Sequence, residues 1–183
     1  MPENNLPSWR QDLKSSRKKE GKAPCNRWFQ LATVSEKNEP RLRTVVFRGW
    51  NKYSSMIIFS DRRSEKIEHL KSNPNAEILW FFLKTKSQYR FKGKISELYD
   101  NKNYWDRLSE KSKSSWFWGS PGERINPKLQ SAYDISFNLP KSENFIVLNF
   151  EINSVDLLKL GQPIHKRYLW EKIKKWEKTE INP

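Results

Sequence analysis

The sequence is poor in the residues that build metal sites, disulfides and nucleotide-binding loops. Its 183 residues include one cysteine, two histidines and six glycines. Cys25 has no second cysteine to form an internal disulfide and no adjacent His or Asp to make a catalytic thiol. A zinc site of the usual ligands is therefore not expected. Because neither Gly-x-Gly-x-x-Gly nor a P-loop occurs, a bound phosphate must be held by side chains and a helix N-terminus.

Long apolar runs are also lacking. No segment approaches the roughly 20 apolar residues of a membrane span, and "MPENNLPSWR" at the start has no signal-peptide core. With a single cysteine, this pattern predicts a soluble cytoplasmic protein and no membrane partner. The net charge of +14 indicates an anionic partner, such as nucleic acid or a phosphorylated small molecule. Mixed runs such as "RKKEGK", however, are typical of solvated faces.

Aromatic residues and short alternating segments are what the sequence has in abundance. Nine Trp, ten Phe and six Tyr can supply one core, so we predict a single domain over residues 1–183. Strands are predicted over 27–35, 41–50, 55–60, 76–83, 88–98 and 144–152, with a closing hairpin, about seven in all. Gly93 is predicted to lie at a bulge or a close backbone approach. The pattern favours a mainly β fold, an antiparallel β-barrel with peripheral helices.

Helices are predicted over 8–20, within an N-terminal helical segment 1–22, and over 61–74 and 101–118. Ser8 is a candidate cap of the first helix, and Asp61 or Ser64 of the second. His69 follows on a charged helix face, where we expect an ordinary surface histidine. Trp116 and Trp118 are expected to pack in a dimer core.

The segment "RLRTVVFRGW" raises the main functional question. Arg41, Arg43 and Arg48 flank a short run rich in β-branched residues. An edge strand with solvated charges would explain them, and so would a strand that holds an anion. Guanidinium groups on a rigid strand are well suited to a phosphate.

Four motifs in order closely resemble the FMN-binding pyridoxamine-phosphate oxidase family: "RTVVFRG", "IIFSDRRSEKIEHLKSNP", "QYRFKGKISEL" and "GQPIHKRYLWE". "NRWFQLATV" and "WFWGSPG" look like the oxidase-related subgroup of cyanobacteria and plants. The resemblance runs from about Trp9 to Pro183. It implies an FMN-binding split barrel and a homodimer with FMN at the interface.

The same resemblance implies roles for individual residues. His165 and Arg48 match residues near the substrate, and Tyr104 and Ser112 fall near its phosphate. Arg167 matches an arginine that the second subunit supplies to the flavin. The remaining residues implied in cofactor binding are Arg43, Val45, Val46, Phe59, Ser60, Ser64, Lys66 and Gln88. Among these, Gln88 could instead cap a strand end.

Three positions depart from the family. Pro163 and Glu65 stand where the oxidases have arginines, and Leu157 or Leu158 stands where a tryptophan packs near the flavin. Pro163 removes a cation from the substrate side and leaves the flavin side untouched. We therefore expect FMN binding with weak or absent oxidation of pyridoxamine phosphate.

The functional prediction is an FMN-dependent oxidoreductase that transfers hydride from a small substrate, with a phosphorylated one among the options. A reductase of another substrate and a non-catalytic flavin binder stay open as alternatives. A basic nucleic-acid-binding barrel is the alternative of another class. Against it, the aromatic residues lie mainly in apolar runs such as "ILWFF", where core packing explains them. We expect neither a metal nor a nucleic-acid partner.

Overall fold

The computed structural model describes residues 6–51, 55–125, 138–161 and 163–183. Eight antiparallel strands form one sheet in the order β3-β2-β1-β4-β5-β6-β7-β8, and β3 also pairs with β6. This extra pairing closes β1–β6 into a six-stranded barrel, from which β7 and β8 extend. The predicted mainly β barrel is confirmed. Both strands of the predicted closing hairpin form, so the described residues contain eight strands where about seven were expected. The strands are β1 Trp28–Val34, β2 Pro40–Trp50, β3 Met56–Asp61, β4 Asn75–Phe82, β5 Ser87–Leu98, β6 Phe145–Lys159, β7 Lys166–Glu171 and β8 Thr179–Ile181.

β6 is the strand at which the sheet divides. Its residues 145–150 pair with β3, whereas residues 154–159 pair with β7 along the same edge. The prediction of a strand over 144–152 therefore covered only its first part. On the other edge, the β5–β6 register shifts between Lys92 and Gly93. A Cβ at Gly93 would lie 2.0 Å from the Glu151 carbonyl oxygen, so the predicted bulge and close approach both occur there.

Four α-helices of the described residues pack around the barrel: α1 Ser8–Glu20, α2 Glu65–Ser72, α3 Lys102–Asp106 and α4 Glu110–Ser114. The prediction of one helix over 101–118 is wrong, because the Ser109 hydroxyl caps a new helix by accepting from the backbone N–H of Ser112. Ser8 is not a cap either, since Pro7 occupies that position and the Ser8 hydroxyl accepts from Trp170 Nε1 at 2.9 Å. Among the described residues, no helix is long and apolar enough to cross a membrane.

Two hydrophobic clusters lie on opposite faces of β3. Alternation directs Ile58 into the barrel interior, and Ile57 and Phe59 to a second cluster outside it. The barrel interior is filled largely by aromatic rings, and α1 adds Trp9 and Leu13 to it. The second cluster contains Trp105, Phe145 and Trp116, whose ring centroid lies 5.0 Å from that of Phe145. Trp116 therefore packs within its own chain.

Candidate functional site

The three arginines of β2 lie in three different environments. Arg41 is exposed and forms an ion pair with Glu39 at 2.7 Å, as a solvated edge arginine would. Arg43 lies on the same face of the strand as Phe47, which belongs to the barrel core, and it is partly buried. Arg48 points to the opposite face, where its guanidinium carbon lies 5.1 Å from the centroid of the Phe59 ring. Arg41 therefore fits the explanation of a solvated edge arginine, whereas Arg43 and Arg48 lie in environments of a different kind.

The connection from β3 to α2 brings two hydroxyls and an ammonium group together. Lys66 Nζ donates to Ser64 Oγ at 2.8 Å and to Ser60 Oγ at 3.2 Å. The two serine oxygens are 3.3 Å apart, and both serines are buried. Ser64 is also the N-cap residue of α2, with no side-chain cap bond of its own. We call Arg43, Ser60, Ser64 and Lys66 the cradle.

In the cradle, Arg43 is close enough to Lys66 to lower its pKa. The pKa of Lys66 is lowered by burial and, secondarily, by the charge of Arg43. Burial also lowers the pKa of Arg43, and the Glu65 carboxylate opposes that shift only in part. No carboxylate among the described residues forms an ion pair with Arg43 or Lys66. Two partly buried cations beside two hydroxyls form a site suited to a dianionic phosphate.

Hydrogen bonds from one guanidinium nitrogen, Nη1, hold the Arg43 side chain in place. Its Nη1 donates to Thr33 Oγ1 at 2.6 Å and to the carbonyl oxygens of Arg41 and Leu31 at 3.0 and 3.3 Å. Thr33 Oγ1 in turn lies 3.1 Å from His69 Nδ1. The remaining guanidinium nitrogens of Arg43 make no hydrogen bond to the described part of the chain.

The expectation of a surface histidine at position 69 is wrong. His69 is only 4% exposed. The helix face around it looked charged because Glu68 and Lys71 are its sequence neighbours, but His69 follows Lys66 by three residues and shares its face. That face packs towards Thr33 of β1.

A cavity of about 600 Å³ lies outside the barrel beside Arg48. Phe59 and Tyr104 form part of its wall, with ring centroids 5.8 Å apart. Burial lowers the pKa of Arg48, and the positive charge of Arg27 lowers it further. The charged residues that line the cavity are Arg27, Arg48, Arg107 and Asp100.

Arg27 and Arg107 were missed by the sequence analysis. Arg27 precedes β1 and Arg107 follows α3, so only folding brings them to Arg48. Tyr104, predicted near a substrate phosphate, does line this cavity. Ser112 does not line it, and its hydroxyl lies 3.0 Å from Ser109 Oγ in the α4 cap.

His165 and Arg167 lie elsewhere in the chain. Both line a cavity of about 500 Å³ formed by the start of β7 and the C-terminal residues, and neither lines the Arg48 cavity. His165 is exposed, with Nδ1 3.0 Å from the Gly161 carbonyl oxygen. Arg167 donates from Nη2 to Asp156 Oδ2 at 2.8 Å, and Arg90 bonds the same oxygen. The Asp156 hydrogen bond raises the pKa of Arg167.

The other predicted residues fall on the sheet itself. Val45 and Val46 pair with Phe29 and Trp28 of β1. Gln88, Leu158 and Arg167 form one cross-strand row over β5, β6 and β7. Leu157 points into the barrel core. Leu158, not Leu157, is therefore the neighbour of Gln88 and Arg167. No group of three or more His, Cys, Asp or Glu side chains able to hold a metal occurs among the residues described.

Comparison with known proteins decides the family. The sequence model described as "Pyridoxamine 5'-phosphate oxidase, FMN-binding domain" matches residues 6–98. The chain belongs to this FMN-binding family. It is 32% identical over 177 residues to "Pyridoxine/pyridoxamine 5'-phosphate oxidase 2" of Arabidopsis thaliana, a match that covers 85% of this chain and 87% of the relative.

Solved structures of this family agree with the fold. A pyridoxamine 5'-phosphate oxidase-related, FMN-binding protein from Nostoc punctiforme superposes with a TM-score of 0.87 and 28% identity, covering 97% of this chain and 99% of that one. PhzG from Burkholderia lata shares the fold at a TM-score of 0.78 and 19% identity, over 96% and 89% of the two chains. The FMN-binding split barrel is therefore confirmed, and FMN is the cofactor of this flavoprotein.

Proposed function

We propose that this flavoprotein is an FMN-dependent oxidoreductase whose cradle holds the FMN phosphate. The observation that carries the proposal is the presence of Arg43, Ser64 and Lys66 at one partly buried site, where neither cation forms an ion pair with a carboxylate of the described residues. Bound FMN supplies hydride-transfer chemistry, and the protein supplies binding, orientation and charge.

The electrostatics of the cradle favour a phosphate over a neutral ligand. Burial disfavours the charged forms of Lys66 and Arg43, as their lowered pKa values show. A phosphate monoester carries nearly two negative charges at neutral pH, so it can neutralise both cations at once. The serine hydroxyls can turn their protons from Asp61 and each other towards phosphate oxygens.

The flavin ring is proposed to extend from the cradle along β2, past the backbone of Val45 and Val46, with Phe59 as a neighbouring wall and Gln88 as a polar contact. We propose a homodimer in which Arg167 and His165 of each chain complete the site of the other. The separation of these two residues from the Arg48 cavity within one chain supports this arrangement.

The substrate is proposed to be a small, flat, anionic compound bound in the Arg48 cavity. Three guanidinium groups face one carboxylate there, Asp100, so the cavity attracts an anion. The rings of Phe59 and Tyr104 provide an apolar wall for a planar ring. Pyridoxamine 5'-phosphate, on which named relatives act, has these properties. His165 is proposed to act at the substrate, beside the position where Pro163 replaces a cation.

An anaerobic reduction experiment tests the proposal. The purified protein should contain extractable FMN, and its flavin absorbance should bleach slowly with pyridoxamine 5'-phosphate and not measurably with pyridoxamine. Arg48→Ala should abolish the preference for the phosphorylated amine. A protein that holds FMN but is reduced equally by both amines would contradict the anion site, and a protein without FMN would contradict the whole proposal.

Sedimentation tests the assembly. If each site needs two chains, FMN binds the dimer more tightly and shifts the monomer–dimer equilibrium towards it by mass action. Dilution of the FMN-loaded protein should then release flavin and monomer together. A monomer that retains FMN would show that Arg167 does not act across an interface.

A further inference from the structure

A chain of hydrogen bonds behind the cradle links three elements of the fold. Arg43 on β2 donates to Thr33 Oγ1 on β1 at 2.6 Å, and Thr33 Oγ1 lies 3.1 Å from His69 Nδ1 on α2. Thr33 and His69 are 1% and 4% exposed, so water does not compete for these bonds. Neither residue belongs to the cradle or to the Arg48 cavity.

The chemistry of the groups fixes the direction of the first bond. A guanidinium only donates, so Thr33 Oγ1 must accept from Arg43. Thr33 Oγ1 can then donate its own proton to His69 Nδ1, or accept a proton from Nδ1 on its second lone pair. The other ring nitrogen of His69, Nε2, lies 3.9 Å from Glu65 Oε1. In either case the Thr33 hydroxyl joins Arg43 to His69, and removing it breaks both bonds.

Through this arrangement, α2 positions both cations of the cradle. Lys66 and His69 are three residues apart and lie on one helix face. The helix holds Lys66 directly, and it holds Arg43 through His69 and Thr33. Arg43 Nη1 donates to Thr33 Oγ1 and to two backbone carbonyls, which leaves the other guanidinium nitrogens for a ligand.

We propose that Thr33 and His69 are positioning residues that orient Arg43 and thereby set the affinity for the phosphate of FMN. This inference rests on the proposed role of Arg43 in holding that phosphate. A guanidinium that is already oriented before the ligand binds loses less conformational entropy on binding, and so contributes more to affinity.

Substitutions at Thr33 give the direct test. Thr33→Val has nearly the same shape but lacks the hydroxyl, and Thr33→Ser keeps it. Dissociation constants for FMN and for riboflavin, which lacks the phosphate, can be measured by quenching of flavin fluorescence. We expect Thr33→Val to weaken FMN binding about tenfold and leave riboflavin binding unchanged, and Thr33→Ser to restore FMN affinity. His69→Leu should act in the same direction, and His69→Asn, which keeps an acceptor near the Nδ1 position, should restore part of the loss.

A double-mutant cycle separates positioning from general packing. If Thr33 acts through Arg43, Thr33→Val should cost no further FMN affinity in an Arg43→Ala background. Ser16→Ala is the matched control, because it removes another buried hydrogen bond, between Ser16 Oγ and the Tyr89 hydroxyl at 3.0 Å, and none of the hydrogen bonds of Arg43 goes to α1 in the described residues. It should lower stability without changing the ratio of FMN to riboflavin affinity.

The measurements distinguish the positioning role of Thr33 and His69 from the role of Arg43 in binding the phosphate. If Arg43→Ala changes the FMN-to-riboflavin ratio and Thr33→Val does not, the positioning role is wrong and the cradle stands. Equal losses for FMN and riboflavin in Thr33→Val, or losses that add in the double mutant, would also overturn it. If Arg43→Ala leaves the ratio unchanged, the phosphate assignment fails and the inference fails with it.

Discussion

Two of the regions that hold partly buried arginines, the cradle and β7, treat the positive charge in opposite ways. In the cradle, Arg43 has no ion-pair partner among the described residues, and burial lowers its pKa. On β7, Arg167 is paired with Asp156, and that hydrogen bond raises its pKa. The cradle therefore gains most from an incoming anion. The β7 region already has its counter-ion, so Arg167 can be aimed by Asp156 without needing a ligand to neutralise it.

The largest expected effect comes from deleting the cation without a partner. Arg43→Ala should weaken FMN binding about tenfold to a hundredfold, since a charge-assisted hydrogen bond contributes about 1.5–3 kcal/mol. Arg41→Ala is the matched control on the same strand, because Arg41 is exposed and paired with Glu39. Fluorescence titration of both variants measures the difference. Equal FMN affinities of the two variants would contradict the proposal that Arg43, and not Arg41, binds the phosphate.

A cation added on the substrate side should have the next largest effect. Pro163→Arg places a guanidinium two residues before His165, and one positioned charge contact changes turnover by about one to two orders of magnitude. We expect kcat/KM for pyridoxamine 5'-phosphate to rise, with pyridoxamine unaffected. Pro163→Ala separates loss of the proline ring from gain of charge. Fast turnover by the unmodified protein would show that Arg27, Arg48 and Arg107 already suffice.

The dependence of FMN affinity on pH should come next. If the cradle holds the FMN phosphate as proposed, FMN prefers the protonated form of Lys66, whose pKa burial and Arg43 lower in the free protein. FMN affinity should therefore fall as pH rises through that lowered pKa, by at most about tenfold per pH unit. Lys66→Met should flatten the profile. Lys71→Met, on the exposed face of α2 and paired with Glu68, should leave it intact. A sloping profile in Lys66→Met would assign the proton to another group.

The smallest effect is expected where the charge is already compensated. Burial alone would raise the pKa of Asp156, but hydrogen bonds from Arg167 and Arg90 lower it overall. Its stabilising contribution is thus present above the unfolded-state pKa and is lost as pH falls through the folded-state pKa. Asp156→Asn should reduce the free energy of unfolding by about 1 kcal/mol at neutral pH and by less in acid. Urea unfolding at both pH values measures it. A larger loss in acid would contradict the ion-pair account.

Local patterns predicted the parts of the fold that local chemistry determines. Alternation and the turn "EKNEP" predicted the β1–β2 hairpin, and Gly93 marked the bulge between β5 and β6. The length of β6 was underestimated because β7 takes over the edge that β3 leaves, and no local pattern reports a change of partner. The helix break at Ser109 had a local signal, a serine that can cap, but it was outweighed by the apparent continuity of the segment.

The site residues also divide into those that the sequence predicted and those whose surroundings depend on the fold. The family resemblance implied Ser60, Ser64 and Lys66 through one short motif, and the structure brings these three side chains into contact. His69 was assigned to the surface because the helix pattern does not show which strand packs against it. Arg27 and Arg107 were missed because their proximity to Arg48 depends on three separate elements.

The exchange of partners along β6 has a consequence for local opening. Over most of its length β6 is hydrogen-bonded on both edges, to β5 on one side and to β3 and then β7 on the other. Its amide hydrogens should therefore be among the last to exchange with deuterated solvent, whereas β8, three residues long and bonded only to β7, should exchange early. Because β7 joins the protected strand to the exposed one, deuterium uptake should spread from the C-terminal edge inwards and stop at β6. The barrel can thus stay closed while the outer strands open and reclose.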